Sequence, residues 1–253
     1  MAGVAGGRQR IDGQRAYVLH TYPYSETSLV LDVFSREHGR LPLLARGARR
    51  PRSALRGVLQ AFQPLEIGWF GGGEVRTLAR AEWLGGTPLL GGTALLLGYY
   101  LNELLLKLLP RDDAHQRLFD DYASIVQQLA RQGREHGHTA PLLRRFEQSL
   151  LAELGYGLSL TQEAQTGTPV QAAGRYHYRV EQGPVALAPR EAEGMPDGQV
   201  LYGKTLLDMA NNDYTDPRTL VEAKQLMRTL IHHHLAGKPL QSRRIFVELM
   251  ELS

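Results

Sequence analysis

The sequence predicts an α+β chain in which a small five-stranded β-barrel precedes an α-helical region. Three observations carry this. Between Ala16 and Ala81 apolar residues come in short β-branched and aromatic blocks separated by turn residues. Beyond Gly91 they recur at helical spacing. The basic charge is confined to the first of these two textures.

The barrel strands are expected at Ala16–Thr21, Thr27–Phe34, Arg40–Ala45, Phe62–Phe70 and Glu74–Ala81, with Tyr22-Pro23, Glu37-His38-Gly39 and Gly71-Gly72-Gly73 as turns. Five short strands in one stretch predict closure into an OB-fold, the Greek-key barrel whose face and loops take up oligonucleotides. A Gly/Pro/Thr junction, Gly85 to Thr93, leads into Ala94–Leu109, apolar on nearly every side and therefore central. Amphipathic helices follow at Asp113–Ala130 and Ala140–Leu154, the second stopped by Gly155 at C′, and the three helices are expected to pack together. One hairpin is expected from Arg175–Val180 and Val185–Leu187. The chain then returns to helix at Gly203–Asn211, at Arg218–Leu235 with Asp216 as N-cap, Pro217 at the first position and Gly237 closing, and at Arg243–Leu252. The domains read as a flexible tail (1–10), a barrel (11–84) and a helical domain (85–253) with an insert at about 156–198.

Composition excludes several classes of function. With 253 residues and 43% hydrophobic content the chain can bury a full core, and zero cysteines remove disulfides, thiolate catalysis and thiolate zinc sites. No run of about eighteen uncharged apolar residues is present, so no membrane span is expected. MAGVAGGRQR lacks the apolar core of a signal peptide, and a reducing cytoplasm fits.

Charge points to function. Residues 1–80 hold twelve arginines and no lysine against six acids, a balance of +6 in a chain whose total is +3. Six of the arginines (Arg40, Arg46, Arg49, Arg50, Arg52 and Arg56) stand in GRLPLLARGARRPRSALR without one acid. Crowded guanidinium groups repel, and a polyanion supplies the missing counter-charge. These six are the candidate DNA contacts, in what is expected to be the long loop of the barrel. Of the aromatics Tyr17, Tyr22, Tyr24, Phe34, Phe62 and Trp69, about half are expected in the core, while Tyr22 and Tyr24, flanking Pro23, are the candidates for base stacking.

Other motifs carry less. Gly198–Thr205 satisfies the phosphate-loop expression G-x4-G-K-[ST], but the polar residues 190–197 before it cannot be the required buried strand, so Gly203-Lys204-Thr205 reads as a helix start. A P-loop hydrolase using Lys204 is one alternative function. A protein-binding scaffold without DNA contact is another. His232, His233 and His234 point about 100° apart on a helix and cannot share one ion, and His136 and His138 lie in an expected loop. No metal, cofactor or catalytic arrangement is predicted. A groove between the helices at 113–130 and 140–154, with Leu118, Tyr122 and Leu129 beside Arg144 and Arg145, has the chemistry for an acidic peptide ending in Phe.

The order YSETSLVLDVFSREHGRL, LARGARRPRSALRG, LNELLLKLL, LLRRFEQSLLAELGYG and GKPLQSRRIF resembles the RecO family of bacterial recombination mediators over nearly the whole chain. The resemblance implies an OB-fold, binding of single- and double-stranded DNA, annealing of complementary strands, and cooperation with RecR in loading RecA onto DNA coated by single-stranded-DNA-binding protein. It also implies a bacterial, nucleoid-associated location, and names the acidic tail of that coating protein as the peptide. Many members of the family place four cysteines, a zinc-ribbon-like module, where this chain runs from Gly155 to about Gly174. None stand here, so packing is expected in place of the metal.

Overall fold

The structure, a computed structural model, describes residues 10–132, 139–196, 198–242, 244 and 245. Of the tail expected over 1–10, only Arg10 is described, and it already belongs to a strand. His136, His138 and most of the helix expected at 243–252 lie outside the described residues.

Five strands close a barrel: β1 (Arg10–Tyr24), β2 (Ser28–Ser35), β3 (Gly39–Ala45), then, after the short helix α1 (Leu55–Val58), β4 (Leu65–Phe70) and β5 (Arg76–Trp83). Their order is β1-β2-β3-β5-β4, all antiparallel except β3 with β5, where Leu43 faces Arg76. This is the predicted OB-fold. The first strand is longer than its apolar block, because residues 10–16 pair with β4 while residues 16–24 pair with β2. Irregularities after Ile11 and Val18 bend it between the two partners.

Val18, Leu31, Val33, Leu41, Leu43, Leu65, Ile67 and Trp69 fill the barrel. The block SLVLDVFS is nearly continuous in apolar character because both faces of β2 are covered. Leu31 and Val33 point inward, whereas Phe34, with Tyr17 of β1, meets Phe119 and Tyr122 of a helix lying on the outside. That helix is α3 (Gln116–Gln132), which follows α2 (Gly92–Leu108). Asn102 of α2 donates through Nδ2 to the Leu19 carbonyl (2.8 Å) and accepts the Tyr122 hydroxyl (2.6 Å), so a buried polar group ties both helices to β1.

The chain divides into two compact units, one holding β1 through α3 together with Leu240–Ser253, the other Gly137–Pro239. The expected three-helix group is therefore split. The third helix, α4 (Thr139–Glu153), packs on α7 (Pro217–His234) instead. Around them stand β6 (Arg175–Arg179), β7 (Gly183–Ala186), α5 (Pro189–Glu193), β8 (Val200–Tyr202) and α6 (Gly203–Ala210), with the sheet in the order β7-β6-β8. The expected hairpin is β6–β7; β8 was not legible as a strand. Leu151, Leu160, Val170, Tyr176, Leu201, Leu206, Met227 and Leu230 share one core.

Helix ends follow the sequence signals closely. Gly155, at φ +85°, donates to Ala152, and Tyr156 donates to Leu151, closing α4 in a Schellman motif. Asp216 accepts the Arg218 amide at 2.8 Å and caps α7. At the other end of α7 both Ala236 (φ +50°) and the expected Gly237 (φ +75°) are left-handed, and their amides donate to the carbonyls of His233 and His232. In the cysteine-free insert, the buried Glu163 carboxylate accepts the amides of Gln165 and Thr166 and the Thr166 hydroxyl, and reaches the amide of Ala186 on β7. One side chain thus holds the turn to the hairpin, and these hydrogen bonds keep its pKa below the usual glutamate value. Among the described residues no helix is long and apolar enough to cross a membrane.

Candidate nucleic-acid interface

The arginine run forms the connection from β3 through α1 to β4. Its backbone is pinned at the middle. Ala48 is buried in the barrel core, and the amide of Arg49 donates to the Thr27 carbonyl at 2.9 Å. Gly47 donates to Ser28 Oγ (3.4 Å), and Arg49 Nη1 donates to the Ser25 carbonyl (3.1 Å). The run is thereby tied to the β1–β2 turn, where Tyr24 pairs with Ser28 and Tyr22 with Val30. Tyr22 is 44% and Tyr24 56% exposed. Burial first, and then the charge of Asp32, raise the pKa of Tyr22 above the ordinary tyrosine value. The β1–β2 turn that carries Tyr22 and Tyr24 thus meets the segment around Arg49 at one edge of the barrel.

The arginines of this region fall into two groups. Arg10 pairs with Asp12, Arg36 with Asp120, Arg76 with Asp112 and Arg80 with Glu82, at 2.5–2.9 Å. Arg46, Arg49, Arg50, Arg52 and Arg56 are exposed, and among the described residues none has an acidic partner. Arg15 is exposed in the same way.

Arg40 departs from the other five candidates. Its side chain is only 14% exposed, with Nη1 3.5 Å from Asp32 Oδ1 and Nε donating to the Leu109 carbonyl at 3.0 Å. Burial lowers its pKa, and Asp32 opposes that shift. It belongs to the support of the surface, because its charge is already matched. The reading of the sequence missed Arg111, whose Nη2 comes within 3.8 Å of the same carboxylate with half of its side chain in solvent. No local signal marks it, since it arrives from the α2–α3 connection.

Four of the five peptide candidates are interior. Leu118, Tyr122 and Leu129 are fully buried, and Arg144 is enclosed with Glu147, to which Nη2 donates at 2.7 Å. Their apolar and ionic groups are consumed by folding, which corrects the expectation that they line an open slot. Arg145 is exposed and donates to the Asn212 carbonyl at 3.0 Å.

The phosphate-loop pattern has the wrong architecture. β8 lies between its two glycines, and α6 starts at Gly203, as the helix-start reading expects. Lys204 Nζ sits 2.5 Å from Asp208 and 3.4 Å from Asp216, and Thr205 donates to Glu222 at 2.6 Å. Neither side chain is available to a phosphate. His233 lies 3.3 Å from Glu181 and His234 stacks on Tyr156, and among the described residues no three His, Cys, Asp or Glu side chains converge as metal ligands.

Comparison with known proteins shows the family. A family model described as recombination protein O N terminal matches residues 12–87, and one described as recombination protein O C terminal matches residues 91–244. The DNA repair protein RecO of Aromatoleum aromaticum is 57% identical over 245 residues, covering 97% of this chain and 99% of that protein. Those of an Azoarcus species and of Dechloromonas aromatica are 58% and 56% identical with the same coverage. This chain belongs to the RecO family. The boundary between the two RecO models falls in the Gly/Pro/Thr junction, whereas the first compact unit runs on through α3. The physical reason is the outer face of β1 and β2, which stays apolar until α3 covers it.

Proposed function

We propose that this chain is a non-enzymatic DNA repair and recombination mediator that binds single- and double-stranded DNA through the barrel edge formed by Arg46, Arg49, Arg50, Arg52, Arg56, Tyr22 and Tyr24. One observation carries the reading. Most other arginines of residues 10–80 have an acidic partner, and among the described residues Arg46, Arg49, Arg50, Arg52 and Arg56 have none. Guanidinium groups neutralise phosphates, the tyrosines offer faces to bases, and neutralising two strands at once lowers their repulsion so that complementary bases meet. Annealing then needs no nucleotide. Family membership supports the finer steps: working in the bacterial cytoplasm at the nucleoid, with RecR, to load RecA on DNA coated by single-stranded-DNA-binding protein. Arg145 is the exposed residue left to meet that protein's acidic tail.

The test is fluorescence anisotropy of a labelled oligonucleotide against salt. Four phosphate contacts give a slope of log affinity on log salt near −3, at roughly −0.7 per contact. Arg49→Glu/Arg50→Glu is expected to abolish binding at physiological salt, while the melting temperature falls by no more than the loss of the exposed Arg49–Ser25 bond accounts for. Retained binding in that variant would remove the barrel edge from the mechanism.

A further inference from the structure

The unit that contains α4 through α7 carries a second group of uncompensated guanidinium groups, far from the barrel run in sequence. Tyr202, in β8, is the cross-strand partner of Arg175 in β6. The Arg175 guanidinium carbon lies 5.2 Å from the Tyr202 ring centroid, and that of Arg218, from the first turn of α7, lies 4.1 Å from it. Both arginines are exposed, and among the described residues neither has an ion-pair partner. The acids of α6 and of the start of α7 are already engaged. Asp208 takes Lys204 and the Thr219 hydroxyl, Asp216 takes the Arg218 amide and Lys204, and Glu222 accepts the Tyr202 amide and the Thr205 hydroxyl.

Two cations over one tyrosine ring repel each other, while each exposed cation–π contact returns only about 0.5–1 kcal/mol. Among the described residues no carboxylate offsets that repulsion. A guanidinium laid against tyrosine still presents its N–H edge to a phosphate and its other face to a base. A nucleic-acid strand uses both, whereas an acidic peptide uses the edge alone. We propose that Arg175, Tyr202 and Arg218 form a second nucleic-acid contact that takes the phosphate and base of a single strand. The inference rests on the reading of the chain as a DNA-binding mediator and deepens it, because a protein that anneals must hold two strands.

The experiment uses the full chain and two readouts, the salt-dependent anisotropy of a labelled dT oligonucleotide and the annealing rate of two complementary oligonucleotides. With these two contacts added to the four of the barrel edge the parent slope is expected near −4, and Arg175→Gln/Arg218→Gln is expected to reduce it by about 1.4, two contacts' worth, and to slow annealing several-fold. Arg175→Lys/Arg218→Lys is expected to keep the slope but bind more weakly, since lysine retains the charge without the stacked plane. Melting curves of both variants exclude misfolding as the cause. If the Gln pair leaves slope and annealing untouched while Arg49→Glu/Arg50→Glu abolishes binding, the barrel reading stands and the second contact does not exist. If neither variant changes binding, the DNA reading itself fails. A Gln pair that loses a polyglutamate probe yet keeps oligonucleotide binding and annealing also overturns the proposal, in favour of an acidic peptide.

Discussion

The arginine run at 46–56 and the segment Gly198–Thr205 both match well-known binding chemistry on paper, and the fold treats them oppositely. In the first, the backbone is fixed by Ala48 and by bonds to Thr27 and Ser28, Arg49 reaches the Ser25 carbonyl, and the charged ends are left in water without acidic partners among the described residues. In the second, Lys204, Thr205 and even the Tyr202 amide are consumed by Asp208, Asp216 and Glu222. A motif describes which groups a chain owns. Only the fold decides which of them are left over for a ligand.

That contrast breaks most visibly at Gly203. A Cβ built there lies 1.9 Å from the Gln171 carbonyl oxygen, and the Gly203 and Lys204 amides donate to the carbonyls of Gly174 and Ala172 at 2.9 Å. The glycine serves a close backbone approach that no side chain fits. Gly203→Ala is expected to cost more than about 4 kcal/mol, at the extreme end of point substitutions, read as a large fall in the denaturant midpoint. A near-neutral result would reopen the segment as a pliable loop with room for phosphates. Glu222→Ala comes next. It removes the acceptor of the buried Thr205 hydroxyl and of the part-buried Tyr202 amide, at an expected cost of about 2–3 kcal/mol. Matched substitutions Arg50→Gln and Arg52→Gln, with no partner to lose, are expected to leave the midpoint unchanged while weakening the oligonucleotide. Were they to destabilise as Glu222→Ala does, the run would be structural after all.

What the sequence disclosed tracks how local the cause was. Strand blocks, the glycine end of α4 and the Asp216-Pro217 start of α7 depend on neighbours in the chain, and they stand where local chemistry places them. Membership of a packed group depends on long-range partners, so α4 was grouped with α2 and α3 although it packs on α7. β8 is only three residues long and sits inside a motif that reads as a loop. The site divides along the same line. Exposed arginines in an acid-free run are a local fact, whereas the commitment of Arg40 to Asp32, and the arrival of Arg111 at the same carboxylate, need the barrel to be closed first. Leu118, Tyr122 and Leu129 misled because an amphipathic stripe looks alike whether it faces a peptide or the outside of a barrel.

A smaller effect separates satisfied from leftover charge by pH. Glu103 of α2 accepts the amides of Gln241 and Ser242 at 2.8 Å, the Ser242 hydroxyl at 2.6 Å and Lys107 at 2.9 Å. Burial alone would raise its pKa, but the bonds from Ser242, Lys107 and Gln241 outweigh burial and hold it below the ordinary 4.5. A carboxylate with a depressed folded pKa contributes stability that is complete above 4.5 and is lost as pH falls through the folded value. Glu103→Gln is therefore expected to be less stable than the parent by about 1–2 kcal/mol at neutral pH, after allowing for partial exposure. The gap is expected to close as the solution is acidified below pH 4.5, because the parent then carries a neutral acid at the same place. Melting both proteins across that range decides it. A gap that stays constant with pH would mean that the return of the chain at 241 and 242 is held by packing alone. The carboxylate would then have no more part in stability than the exposed arginines of the loop.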